Sequence, residues 1–151
     1  MELFLFSTAE YNEIIELEHR NNSGGGIKFL FIRNRYVLAD LSAAPVYQYE
    51  KFEQNQAREE KRWSLRGRIE LNPFNDEYMV RYYFYYIPEI GNSSNYRTIH
   101  DFSASKKIMG NVHFRGGYRR EFNTYDKSIL EQNPLLKKTD EIIYMQLGIT
   151  I

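Results

Sequence analysis

Apolar and polar positions alternate most regularly over residues 62–71. Trp63, Leu65, Ile69 and Leu71 fall on one side, and Arg62, Ser64, Arg66, Arg68 and Glu70 on the other. That period of two is what a strand with unlike faces requires. Asn72-Pro73-Phe74-Asn75-Asp76 supplies turn chemistry. Residues 77–87 then form a second run of strand formers, stopped by Pro88. Together the runs predict a β-hairpin. With Trp63, Leu65, Ile69 and Leu71 packed on the core beside Tyr78, Val80, Tyr82 and Phe84, the opposite face carries Arg62, Arg66, Arg68, Arg81, Tyr83 and Tyr85.

Further strands are expected at 2–6, at 27–33 and 36–41 around a turn at Asn34-Arg35, and at 46–49 after an interruption at Ser42-Ala43-Ala44-Pro45. Weaker patterns lie at 96–102, 107–114 and 118–122. A last strand over 141–151 sets Ile143, Met145, Leu147, Ile149 and Ile151 on one face. Ser7-x-x-Glu10 reads as a capping box opening a helix that ends near His19-Arg20, with Tyr11, Ile14 and Ile15 as its apolar stripe. Asn21-Asn22-Ser23-Gly24-Gly25-Gly26 is a breaker run and reads as a loop. Residues 50–61 fit a helical turn or a long loop, and 126–138 a short helix broken at Pro134. The expectation is a single domain over 1–151 of the α+β class. It is β-rich, with a mostly antiparallel sheet, folded over or barrel-like, one N-terminal helix and a short helix near the C-terminus.

Composition narrows the function. The chain has 151 residues, 20 Lys+Arg against 20 Asp+Glu, and no cysteine. Zero net charge argues against coating nucleic acid or a membrane by bulk electrostatics. The missing cysteines exclude disulfides, thiolate metal sites and a cysteine nucleophile. The N-terminus lacks a basic signal-peptide start, and apolar runs such as Phe29-Leu30-Phe31-Ile32 fall far below the roughly 20 residues of a membrane helix. These features set the expectation of a cytoplasmic protein without a membrane partner, in the host cytoplasm if viral.

Arginines interleaved with tyrosines suit phosphates and stacked bases, and equally the core of a protein interface. A second basic segment joins them: His113, Arg115, Tyr118, Arg119 and Arg120 around Gly116-Gly117, read as a glycine-flanked loop able to wrap a phosphate. The histidines lack metal-ligand spacing, so no metal or other cofactor is expected. Adjacent His100 and Asp101 point to opposite faces of a strand and form no dyad. The expected function is therefore non-enzymatic binding through the Arg/Tyr face, to a protein partner and plausibly to copies of the chain itself. Length and aromatic strands suit an accessory or assembly protein of a virus or mobile element. Single-stranded nucleic acid or a nucleotide is the alternative ligand. A further alternative is a small metal-independent nuclease or phosphodiesterase, with His113 as acid/base and Arg115 or Arg119 stabilising charge.

Overall fold

A computed structural model describes residues 1–12, 17–52, 57–73, 77–124 and 138–149. These residues form one antiparallel sheet of eight strands in sequential order. They are β1 (Glu2–Asn12), β2 (Leu17–Arg33), β3 (Val37–Phe52), β4 (Arg58–Leu71), β5 (Tyr78–Glu89), β6 (Asn92–Met109), β7 (Val112–Asn123) and β8 (Thr139–Ile149). Each strand pairs with its chain neighbours, so local hairpins build the whole sheet.

Turn residues act where the hairpins reverse. Asn34 Oδ1 accepts from the backbone N–H groups of Tyr36 and Val37 at 2.9 and 2.8 Å, an Asx-type closure of the β2–β3 turn. Gly91 and Gly110, at φ 92° and 53°, take the left-handed conformation in the β5–β6 and β6–β7 turns.

The α+β expectation is overturned: the described residues are all β. The expected N-terminal helix lies on β1 and β2, with residues 13–16 outside the described part. The Ser7-to-Glu10 spacing suits a cap, but the same residues alternate in register with β2, Thr8 opposite Asn22 and Glu10 opposite Arg20. Cross-strand pairing outcompetes a cap of about 1 kcal/mol. The glycine run is not a loop. Gly24 and Gly26 lie inside β2, where a Cβ would collide with the Pro45 and Ala43 carbonyl oxygens of β3. Glycine here permits close backbone approach. Ser42-Ala43-Ala44-Pro45 continues β3 without interruption. The weak pattern at 96–102 lies within β6, while 107–114, expected as one strand, spans the end of β6, the turn at Gly110 and the start of β7. The expected helix over 126–138 falls almost wholly outside the described residues.

Register assigns every side chain to one of two faces, because directly paired residues share a face. The buried apolar residues Ala44, Val46 and Ile99 occupy the same face as the buried polar residues Arg20, Asp40, Ser42, Gln48, Glu50, Glu60, Arg62, Asn95 and Ser103. The core is mostly polar. Arg20 on β2, Arg62 on β4, Arg97 on β6 and Asn123 on β7 border one small cavity. In a flat sheet β2 and β7 would lie about 24 Å apart, five steps of roughly 4.8 Å. The sheet therefore curls, with this polar face inside.

Candidate functional site

The inner face is lined by paired charges. At the centre of β3, Asp40 is 2% exposed. Arg66 Nη2 donates to its Oδ1 at 3.1 Å and Arg68 Nε to its Oδ2 at 2.6 Å. Strand pairing explains the geometry: Arg68 is directly opposite Asp40, and Arg66 is one inner-face position further along β4. Glu70 extends the ladder, accepting from Arg68 at 3.4 Å and from the Tyr83 hydroxyl at 3.3 Å, with Arg81 Nε also 3.4 Å away. Towards the other end of β4, Arg62 donates to Glu60 at 2.6 Å, to the Ile87 carbonyl at 3.1 Å and to Asn95 at 3.4 Å. Arg20 spans Glu50 at 2.5 Å and Glu10 at 3.0 Å.

On β6 and β7, Glu121 gathers Arg97, Asn123 and Arg119 at 2.9, 3.1 and 3.4 Å. Burial alone would raise this carboxyl, but Arg97, Asn123 and Arg119 outweigh burial and hold it below the ordinary carboxylate value. A buried charge without a partner costs several kcal/mol, so each carboxylate placed between cations offsets that penalty. Among the described residues no group of three or more His, Asp or Glu is arranged to hold a metal ion.

The structure divides the sequence-selected residues between two faces. Arg62, Arg66, Arg68, Arg81, Tyr83 and Tyr85 share the inner face, as the hairpin alternation implied. Its orientation is the reverse of the expected one. The arginines are inside, while Trp63, Leu65, Ile69 and Leu71 stand 45, 42, 47 and 40% exposed. The segment from His113 to Arg120 is not a loop but part of β7. His113, Arg115 and Arg119 point inward, whereas Tyr118 and Arg120 lie on the outer face. Sequence reasoning set Glu70 on the arginine face without pairing it, and the partners Asp40, Glu50, Glu60 and Glu121 escaped it. A signal for them existed: Asp40, Ser42, Gln48 and Glu50 alternate with Leu41, Ala43, Tyr47 and Tyr49 along β3.

The outer face carries an apolar band across all eight strands. It includes Leu3 and Leu5 on β1, Phe29 on β2, Leu41 on β3, the four β4 residues just named, Tyr82 on β5, Phe102 on β6, Phe114 on β7, and Ile143, Met145 and Leu147 on β8, all exposed. At the end of the sheet away from the β2–β3 and β6–β7 turns the same face turns polar, with Lys51, Glu59, Lys61, Arg120 and Glu141. Inside the band the Tyr82 hydroxyl and His100 Nδ1 satisfy each other at 2.8 Å.

Polar residues within and apolar residues without define the molecule as an inside-out antiparallel meander. The chain belongs to the family described as "Protein of unknown function, DUF481", which it matches over residues 1–150. No curated protein and no solved structure matches it. Neither fold nor family supports a viral origin or nucleotide binding.

Proposed function

We propose that the chain is a membrane-inserted β-structure, its sheet forming the wall of a barrel with lipid outside and a polar interior. The observation that carries this reading is the reversed polarity, sustained over eight strands. Fully burying one Leu, Ile or Phe is worth about 1.5–3 kcal/mol, so leaving such a face in water forfeits on the order of tens of kcal/mol. A local protein partner would cover a patch, whereas lipid meets a band that runs round the whole sheet. The dimensions agree. On β4 the band runs from Trp63 to Leu71, about 27 Å along the strand, and a tilted membrane strand needs about 9–11 residues.

Lipid also requires every backbone polar group to be paired, including the free sides of β1 and β8. An even number of strands sets β1 and β8 antiparallel, the sense in which they can pair with each other. A cytoplasmic role for the Arg/Tyr face draws less support, since Asp40, Glu60 and Glu70 already occupy Arg66, Arg68 and Arg62. The test is vesicle association. The refolded protein should float with phospholipid vesicles and stay with them in alkaline carbonate. A protein that remains in the aqueous fraction without detergent contradicts the reading.

A further inference from the structure

We infer that the inner face near the β6–β7 turn is a binding site for a phosphate-type oxyanion, built on Arg81, His113 and Arg115. A cavity of about 540 Å³ opens there between β5, β6, β7 and β8, lined by Met79, Arg81, Ser105, His113, Arg115 and Gln146 among others, none of them acidic. Arg115 sits directly opposite Ser105 on one side and Gln146 on the other, two neutral side chains that can donate hydrogen bonds. His113 is opposite Lys107 and Gly148. A Cβ on Gly148 would meet nothing within 4 Å, so the cavity is open at that point.

This corner differs from the rest of the interior in its charge balance. Arg20, Arg62, Arg66, Arg68 and Arg97 each contact a carboxylate. No carboxylate among the described residues lies within ion-pair distance of Arg115. Arg81 is half provided for: Glu70 is 3.4 Å from its Nε, yet that buried Nε makes no hydrogen bond. Two guanidinium groups and an imidazole thus line one cavity, with Glu70 beside Arg81 as the one acid in ion-pair distance of them among the described residues. A planar guanidinium fork matches two oxygens of a phosphate, which a point charge cannot do. The volume exceeds what bare phosphate fills, and Met79 on the inner face of β5 gives it an apolar edge. A phosphomonoester therefore fits better than a small inorganic anion.

The site needs only the polar interior and does not depend on what covers the outer face. Its test is calorimetric titration of the folded protein with inorganic phosphate and with phenyl phosphate, in micelles or in plain buffer as solubility demands. Saturable binding to both is expected, tighter for phenyl phosphate, with acetate at equal ionic strength giving none. Arg115→Gln should weaken binding at least tenfold, and Arg115→Lys, which keeps the charge and loses the fork, by less. His113→Gln supplies a second reading should Arg115→Gln lose its β circular-dichroism signature. Absence of saturable binding, or equal affinity in wild type, Arg115→Gln and His113→Gln, would overturn the proposal.

Discussion

Along β4, Glu60 and Arg62 are 4% and 7% exposed, while Trp63 and Leu65 on the other face are 45% and 42% exposed. The two faces obey opposite rules from those of a water-soluble sheet. Inside, ion pairs and hydrogen bonds meet most of the groups that carry charge. In the outer apolar band the side chains are mostly hydrocarbon, and Tyr82 and His100 satisfy each other. The contrast teaches that alternation fixes which residues share a face, but not which face meets water. That second choice belongs to the surroundings.

The comparison can be broken from either side. The largest effect is expected from Asp40→Ala, which leaves Arg66 and Arg68 without their shared carboxylate. Loss of about 3–5 kcal/mol should appear in urea unfolding from micelles. On the outer face, Ile69→Arg places a charge within the apolar band. It should cost about 2–4 kcal/mol in lipid, read as reduced insertion into vesicles. In water alone the same substitution would be nearly neutral, so its size separates the two environments.

Glu121→Gln tests the inner network beyond the band, and a loss of about 1.5–3 kcal/mol is expected at neutral pH from hydrogen bonds to charged groups. Because the folded carboxyl is held below its ordinary value, its contribution is present above that value. It is lost as pH falls through the folded pKa, so the variant should show a flatter acid limb than wild type in pH-dependent unfolding. The smallest effect belongs to Lys61→Gln on the outer margin, expected to change stability by less than about 0.5 kcal/mol.

Much of the sheet was legible in the sequence. The hairpin over 62–87 followed from Arg62-x-Ser64-x-Arg66-x-Arg68 set against Trp63, Leu65, Ile69 and Leu71, and the structure pairs Arg66 with Tyr85 and Arg68 with Tyr83. The N-terminal helix misled because Ser7 and Glu10 have cap spacing, a local signal that pairing with β2 overrides. The glycines at 24 and 26 looked like a loop because their reason lies across the sheet, at the β3 carbonyls. Of the sequence-selected residues, Arg62, Arg66, Arg68, Arg81, Tyr83 and Tyr85 share a face as the alternation implied. Tyr118 and Arg120 stand on the opposite face from His113 and Arg115, and most of the carboxylate partners were missed. Glu121 has Arg119 two residues away in sequence, but only register brings Asp40 to Arg68 and Glu121 to Arg97, 28 and 24 residues distant.

The single tryptophan gives the most direct test, because Trp63 lies on the outer face within the apolar band. Its fluorescence should be measured in vesicles made with lipids brominated along the acyl chain, with aqueous iodide as the opposing quencher. Blue-shifted emission is expected, with strong quenching by the brominated chains and little by iodide. Emission at the wavelength of water-exposed indole, quenched by iodide and untouched by bromine, would contradict membrane insertion.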